Sequence, residues 1–439
     1  MSSRTETGTE TANGNGTGQR TGTGPGPGSE PGTESGTGSV LADLDSERMH
    51  RIYRHLHTHP ELSMQEHATA DFIAAELDDL GVENFRCGGT GVVGIIRNGE
   101  GPVVAFRADT DGLPIAEDTG LDYASTATGT LEDGTAVPVM HGCGHDTHVT
   151  ALLTASRALL ADTAAWSGTL VLVFQPGEET ASGARAMVDD GIWDRAPRPG
   201  IVLGQHVMPL QAGSVRLSHG TAMAMADALR VTVYGKQSHG SQPQNSIDPI
   251  VLGAHMVARL QTIVSRELDP RTPAVVTSGT FHAGLKENII PDRAEFTLNI
   301  RTFEQETRDQ VLAAVRRIVV GEAAVSNAPE PLIEEIYTFP RCFNDHASAE
   351  RIESALRAEL GEENVAVGAP VMGSEDFGHL ADAIGVPSVY WMFGGFDLAA
   401  GEPPVNHSPF FGPVMEPTLT TGTRAAVAGM LAYLGPGTR

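Results

Sequence analysis

Short apolar runs alternate with helix-like patterns along the chain after about residue 40. Continuous apolar runs of this length are typical of strands that are buried on both faces, and strands that alternate with helices indicate a parallel sheet. The pattern therefore predicts an α/β fold with a mainly parallel sheet flanked by helices. A first helix is expected from residue 40 to about residue 57. Four runs lead directly into glycines or reactive side chains, at residues 103–106, 170–174, 201–203 and 386–393.

Between residues 214 and 339 the pattern changes to alternating apolar and polar residues, as in 229–233. Such alternation is typical of strands with one buried face. The elements follow in βαββαβ order, with strands at 228–235, 274–281, 293–303 and 331–338 and helices at 247–267 and 304–320. We therefore predict an inserted α+β domain at 215–339 within a larger, discontinuous domain at 39–214 and 340–439.

The first 38 residues have a different composition. They contain Gly, Thr, Ser, Pro and Glu but no Leu, Ile, Val or aromatic residue. Such a segment buries too little apolar surface to offset the entropy of ordering its backbone. Residues 1–38 are therefore predicted to be a disordered tail.

Charge and cysteine content exclude several classes of protein. Acidic residues outnumber basic ones by 55 to 29, which gives a net charge of -26 and argues against a nucleic-acid partner. No apolar stretch approaches the roughly 18 residues of a membrane span, and no secretory signal is readable. The cysteines are too few and too widely spaced for a disulfide framework; they are Cys87, Cys143 and Cys342. We expect a cytoplasmic protein with no membrane partner.

The densest cluster of candidate ligands is the segment HGCGHDTH at 141–148. It places three imidazoles, a thiol and a carboxylate within eight residues, with glycines that let the backbone curve around a point. Thiolate and imidazole bind zinc and the neighbouring transition metals. The alternative is a glycine-rich turn into a helix, with His148 capping or packing on that helix. We predict a metal site here, in which Asp146 orients a ligand or caps the helix.

Glu178 and Glu179 follow a buried apolar run, where adjacent carboxylates repel each other unless a cation lies between them. With a metal present, one carboxylate can ligate while the other takes a proton from water, as a metallohydrolase requires. The residues alone do not say which glutamate has which role, and two solvated loop acids are the alternative. His206 and His407 are weak candidates alone, since a lone histidine is more often structural than a ligand. We include them among the candidate ligands only because the same chain also has the 141–148 cluster and the glutamate pair.

Nine segments in this order resemble the M20 metallopeptidases. The similarity is to their amidohydrolase branch, which includes hippurate hydrolases, N-acyl-amino-acid aminoacylases and plant auxin-conjugate hydrolases. The segments are HTHPELSMQE (57–66), FRADTDGLPI (106–115), MHGCGHDTH (140–148), FQPGEET (174–180), GQH (204–206), SHG (238–240), NIIPDRAEFTLNIRTF (288–303), MGSEDFG (372–378) and NHSP (406–409).

The resemblance implies a site for two divalent cations, which could be zinc, manganese, cobalt or nickel, with Glu178 as general base and later acid. The implied ligands are Cys143, His145, Glu179, His206 and His407. The resemblance also implies that the inserted domain is the lid and dimerisation domain of a homodimer. His239 would then reach the partner subunit's site and stabilise the oxyanion.

Asn288 and Arg301 resemble polar lid residues of the family that lie near the substrate carboxylate. The residues by themselves indicate only an asparagine in a turn and an arginine on the surface of a strand. Four acids resemble those that lie beside the family's metal site: Asp109, Asp111, Glu375 and Asp376.

These features predict a metal-dependent amidohydrolase that cleaves the amide bond of an N-acyl amino acid. One alternative is a dipeptidase or carboxypeptidase of the same family. Another makes Cys143 a nucleophile with His145 as its base. A third is a non-enzymatic metal protein, against which Glu178 argues because a structural site does not need it. The sequence departs from the family where Gln244 follows a proline in the lid loop, at a position where a second histidine is frequent.

Overall fold

The computed structural model describes residues 40–41 and 44–435, so the tail predicted at 1–38 lies outside the described residues. The helices are α1 (Ser46–Thr58), α2 (His67–Asp79), α3 (His145–Ala161), α4 (Gly183–Asp189), α5 (Ile192–Arg195), α6 (Pro249–Thr262), α7 (Gln305–Val325), α8 (His346–Leu360), α9 (Gly378–Asp382) and α10 (Met415–Leu434). Across the described part of the chain, no helix combines the length and apolar character needed to cross a bilayer.

The strands alternate with these helices over most of the chain. They are β1 (Glu83–Cys87), β2 (Gly91–Asn98), β3 (Val103–Asp109), β4 (Thr128–Thr130), β5 (Ala136–Pro138), β6 (Gly168–Gln175), β7 (Ile201–Gln211), β8 (Val215–Leu217), β9 (Gly220–Met223), β10 (Met225–Tyr234), β11 (Ser238–His239), β12 (Ala274–Ala283), β13 (Ile289–Ile290), β14 (Arg293–Thr302), β15 (Leu332–Phe339), β16 (Cys342–Asn344), β17 (Val365–Val367) and β18 (Ser388–Phe396).

The largest sheet has the strand order β1-β2-β6-β3-β7-β18-β8-β17. Its four central strands, β6, β3, β7 and β18, run parallel to one another. These four strands contain the apolar runs that the sequence pattern indicated. The predicted α/β class with a mainly parallel sheet flanked by helices is confirmed.

Successive residues of the central strands face opposite sides of this sheet, as strand geometry requires. Val104 and Phe106 lie in a core beneath α3, α8 and α10, whereas Ala105 lies in a second core beneath α4, α5 and α9. Because helices cover both faces, the strands need apolar side chains at nearly every position. The chemistry-bearing segments are thereby gathered at the carboxyl ends of the central strands.

A four-stranded antiparallel sheet with the order β12-β14-β10-β15 is formed by residues between 225 and 339. Helices α6 and α7 pack on one of its faces, where Leu229 and Phe296 are buried. Strands and helices here follow the βαββαβ order that the alternation predicts. The proposed boundaries, 39–214 with 340–439 for one domain and 215–339 for the other, stay a prediction.

Several predicted boundaries differ from the structure, and two of the differences have a clear cause. Helix α1 begins at Ser46 rather than at residue 40, because the Asp45 side chain caps it by accepting a hydrogen bond from the Arg48 backbone N–H at 2.9 Å. His206 is not at the end of its strand as predicted, because β7 continues to Gln211 and its parallel pairing with β18 extends past this histidine.

A buried ionic contact anchors the end of α1 to the start of α3. His57 is buried, with Nδ1 2.6 Å from Asp146 Oδ2 and Nε2 3.1 Å from Glu117 Oε1. Burial alone would lower the pKa of His57, but hydrogen bonds and charge interactions with these two carboxylates raise it to about 9. The imidazole therefore carries a positive charge at neutral pH.

We expect this contact to stabilise the fold fully below pH 6.5, the ordinary pKa of histidine, and to be lost as the pH rises through about 9. His57→Gln should lower the free energy of unfolding at pH 6. It should also abolish the decline in the wild type's free energy of unfolding between pH 6.5 and about 9. The slope of this decline is at most roughly 1.4 kcal/mol per pH unit. Urea unfolding at pH 6, 7.5 and 9 measures both effects.

His50→Gln is the matched control, because His50 lies on the same helix but is partly exposed. It should change stability much less. If the difference in free energy of unfolding between the wild type and His57→Gln stays constant from pH 6 to 9, His57 is not the group that titrates.

Candidate metal centre

Two predicted ligands flank a glycine at the start of α3. Gly144 has a φ of +79°, and a Cβ built on it would lie 2.4 Å from Val207 Cγ1, so only glycine fits this turn. The turn brings Cys143 and His145 against strand β7. There the Sγ of Cys143 lies 3.4 Å from Nε2 of His206.

Glu179 and His407 close the other side of this cluster. Glu179 Oε1 lies 3.3 Å from His407 Nε2 and 3.9 Å from His145 Nε2. The loop that carries His407 is tied to the α3 turn, because the His407 backbone N–H donates to Gly142 O at 2.8 Å. The structure thus brings all five predicted ligands together, in donor groups whose atoms lie within 4.8 Å of one another: Cys143–His145–His206, Cys143–Glu179–His407 and His145–Glu178–Glu179.

Hydrogen bonds fix the orientation of two of the imidazoles. His145 Nδ1 lies 2.9 Å from Asp111 O and 3.2 Å from Asp111 Oδ1, while His206 Nδ1 lies 2.6 Å from Val207 O. Each ring donates from Nδ1, which leaves Nε2 directed at the cluster. Burial lowers the pKa of His206 well below its usual range. For His145, the charge of Asp109 and the hydrogen bond to Asp111 outweigh burial and raise the pKa, and hydrogen bonds with Cys143 and Glu179 raise the pKa of His407 to about 10, so a cation that binds these two rings would replace a proton.

The donor atoms fit divalent cations. Within the described residues, His145 Nε2 and Glu179 Oε1 are buried and make no hydrogen bond, which is costly for polar atoms unless a cation satisfies them. The mixed sulfur, nitrogen and oxygen set suits zinc, manganese, cobalt or nickel. Cys143, His145 and Glu179 each belong to more than one of the donor groups.

Glu178 stands beside this cluster in a strongly acidic environment. It is 5% exposed, and one carboxylate oxygen lies within 4.8 Å of oxygens of Glu375 and Asp376. Burial, together with the charges of Glu375, Glu179 and Asp376, raises the pKa of Glu178 well above its usual range. A raised pKa is the property that lets a carboxylate accept a proton near neutral pH.

His148 is committed to structural hydrogen bonds. Its Nδ1 donates to Asp109, and its Nε2 accepts from the Val207 backbone N–H at 2.8 Å. With both nitrogens engaged, this ring offers no lone pair to a cation. Asp146 accepts from the Thr147 backbone N–H at 2.9 Å, and it also pairs with His57 instead of facing the donor groups.

A cavity of about 450 Å³ opens in front of Glu178 and reaches the four-stranded sheet. Arg301 faces it from β14, held by donation from Nη1 to Met372 O at 2.8 Å and Ser374 Oγ at 3.0 Å, and from Nε to Asn299 Oδ1 at 2.9 Å. The cavity is lined by Cys143, Glu178, Glu179, His206, Met208, Met223, Arg301, Tyr337, Phe339, Gly373, Ser374, Asn406 and His407.

His239 and Asn288 lie outside this cavity. Both are exposed on a small ribbon formed by β11 and β13, where the Gly240 backbone N–H donates to Asn288 O at 2.8 Å. Within one chain, therefore, the structure does not bring them to the candidate ligands. Their roles, like that of Arg301, stay a prediction.

Sequence reasoning missed several residues of the site. Asn406 donates from Nδ2 to Cys143 Sγ at 3.5 Å, and Arg107 is buried among the acids behind Glu178. An arginine between Phe106 and Ala108 in an apolar strand was an available signal for a buried charge. The apolar cavity wall had no such signal, because distant segments contribute it: Met208, Met223 and Phe339.

Comparisons with known proteins show what this chain is similar to. A model of "Peptidase family M20/M25/M40" matches residues 105–428. The chain is 35% identical to a hippurate hydrolase of Campylobacter jejuni, over 78% of this chain and 87% of the relative. It is also 35% identical to an IAA-amino acid hydrolase of Arabidopsis thaliana, over 82% of this chain and 80% of the relative.

Among solved structures, the chain is similar to the YXEP protein of Bacillus subtilis, described as a dinuclear metal-binding peptidase from the M20 family. The TM-score is 0.70 at 29% identity, and the match covers 88% of this chain and 98% of the other.

We expect the purified protein to bind about two metal ions per chain, and Cys143→Ala to lose most of this metal because two donor groups share the thiol. Chelation should lower the unfolding temperature of the wild type, since a ligand that binds only the folded state stabilises it, and should lower that of Cys143→Ala much less. Elemental analysis and thermal unfolding measure these effects.

Cys342→Ala is the control, because Cys342 is also a buried free thiol but belongs to none of the donor groups found among the described residues. Its metal content should equal that of the wild type. A Cys143→Ala variant with full metal content would refute the assignment.

Proposed function

The chain belongs to peptidase family M20/M25/M40, and on that basis we propose that it is a metal-dependent amidohydrolase that cleaves the amide bond of N-acyl amino acids. The products would be a carboxylic acid and a free amino acid. The observation that carries the proposal is the cavity, in which buried Glu178 adjoins the donor cluster while Arg301 faces it from the other sheet. Relatives named for hydrolysing hippurate and IAA-amino acid conjugates support the same class of substrate.

Five residues would hold the cations: Cys143, His145, Glu179, His206 and His407. When bound, two divalent cations supply polarisation of the amide carbonyl and acidification of water. Glu178 takes the proton from the attacking water, for which its raised pKa suits it. The same carboxyl then delivers this proton to the departing amine.

Arg301 is suited to bind the free carboxylate of the substrate. Three hydrogen bonds from Nε and Nη1 fix its guanidinium, so little side-chain entropy is lost on binding. Met208, Met223 and Phe339 give the cavity an apolar wall for the acyl group. A dipeptidase or carboxypeptidase would use the same arginine, so a panel of N-acyl amino acids and dipeptides distinguishes the two activities.

We also propose a cytoplasmic homodimer in which residues 215–339 form the lid and dimerisation domain. The exposed ribbon that holds His239 and Asn288 would then act in the partner subunit's site. There His239 would stabilise the oxyanion and Asn288 would contact the substrate carboxylate.

Glu178→Gln should keep the metal content and fold of the wild type but lower kcat by about 10² to 10⁴, because an amide cannot accept the proton. Hydrolysis of N-benzoylglycine, N-acetyl amino acids and dipeptides, with elemental analysis, measures this. Glu100→Gln, at an exposed loop position, is the control and should behave as wild type. Near-normal turnover by Glu178→Gln would refute the base assignment.

The same assays separate metal chemistry from a Cys143 nucleophile. Metal-dependent hydrolysis should stop on chelation and return when metal is restored. Loss of activity on thiol alkylation, with bound metal unchanged, would instead favour the nucleophile. A protein with full metal occupancy but no turnover on any amide of the panel would be a non-enzymatic metal protein.

A further inference from the structure

The reaction proposed above leaves several buried charged residues without a role, and Arg107 is the largest of those described. Arg107, on β3, is a large side chain with 0% exposure. Its Nε donates to Gln175 Oε1 at 2.8 Å, and its Nη1 donates to Asp109 Oδ2 at 2.6 Å. Its Nη2 donates to Glu375 Oε1 at 2.8 Å and to Asp376 Oδ1 at 3.2 Å. All three guanidinium nitrogens are therefore engaged.

The charge around Arg107 exceeds what a structural ion pair needs. One carboxylate would neutralise the guanidinium, but three accept hydrogen bonds from it. Every additional buried carboxylate costs solvation free energy, so this surplus is unfavourable for stability alone. The excess lies against the proposed base, because oxygens of Glu178, Glu375 and Asp376 lie within 4.8 Å of one another.

One branch of this network leads to the loop that carries Glu178. Gln175 precedes the loop, and its Nε2 donates to Asp376 Oδ1 at 2.6 Å. The other oxygen of Asp376 accepts from the Ala184 backbone N–H at 3.0 Å, beyond the loop. Arg107 and Asp376 together therefore bracket the Glu178 loop from both ends.

A second branch leads to the His206 strand. Asp109 accepts from Arg107 at one oxygen and from His148 Nδ1 at the other. His148 Nε2 in turn accepts from the Val207 backbone N–H at 2.8 Å, next to His206. The guanidinium thus connects both sides of the cluster, although Arg107 does not line the cavity.

We propose that Arg107 is the positioning residue that holds Glu178 in its reactive orientation relative to the His206 side of the cluster. The inference rests on the proposed function, in which Glu178 is the base. Lysine would preserve the charge but not the role, because a single ammonium group cannot reproduce the planar fork that joins four partners.

The test is Arg107→Lys, with kcat, KM and metal content measured separately. We expect kcat to fall about 100-fold, as a displacement of about 1 Å at a reacting group produces. KM should stay within about threefold, because the side chains that line the cavity are unchanged. Elemental analysis and competition with a chromophoric chelator should give the metal content and affinity of the wild type.

Arg308→Lys is the matched control. Arg308 also binds a carboxylate through two nitrogens, at 2.8 and 2.6 Å from the buried Asp227, but it lies on α7 and does not line the cavity. It should lower the unfolding temperature while kcat stays unchanged. This control separates a positioning effect from a general loss of stability.

Three results would overturn the inference: a kcat of Arg107→Lys equal to that of Arg308→Lys, a rise in KM with kcat unchanged, or a loss of metal that accounts for the loss of kcat. If Arg107→Lys does not fold, Gln175→Leu removes the acceptor of the Arg107 Nε hydrogen bond and the donor to Asp376 Oδ1, while the guanidinium itself stays. A fall in its kcat of about tenfold, at constant KM and metal content, supports the inference, and an unchanged kcat overturns it. A wild type with no amidase activity would overturn the proposed function and this inference with it.

Discussion

The burial of many ionisable groups at one edge of the parallel sheet is the constraint on which the rest of the structure depends. Imidazoles, carboxylates and a thiol are removed from water there, and each must be neutral, paired or bound to a cation. The structure meets part of this need with Arg107 and with hydrogen bonds from backbone N–H groups. Within the described residues, His145 Nε2 and Glu179 Oε1 are among the buried polar atoms that are left without a hydrogen bond, and our proposal assigns them to a cation.

The fold supplies the rigidity that this crowding requires. Apolar cores pack on both faces of the central strands. At Gly144, the turn before α3 leaves no space for a side chain. The placement of the donor atoms matters, because the side chains that would bind a cation repel or clash with one another if they shift. The antiparallel sheet contributes differently, since only a few of its side chains, such as Arg301 and Tyr337, reach the cavity.

Much of this organisation was predictable from the sequence. Buried strands and the βαββαβ unit follow from local periodicity, and the candidate ligands occur in dense or ordered motifs around Cys143, Glu178 and His407. The extent of β7 was not predictable, because pairing with β18, about 180 residues away, determines it. The roles of Arg107 and Met223 depend likewise on partners far along the chain, and the ribbon of His239 and Asn288 is completed, in our proposal, only by a second subunit.

Much of the cavity wall comes from the parallel sheet and from the antiparallel sheet. The strands of the first have continuous apolar runs, and those of the second alternate apolar and polar residues. Side chains that would break the bond lie on the parallel sheet and its loops, whereas Arg301, Tyr337 and Phe339 come from the antiparallel one. Under the proposed function, substitutions at these three residues would alter which amide is accepted without changing a member of the donor cluster. In an enzyme of the proposed function, one part of the pocket could therefore change under selection while the donor cluster stays the same.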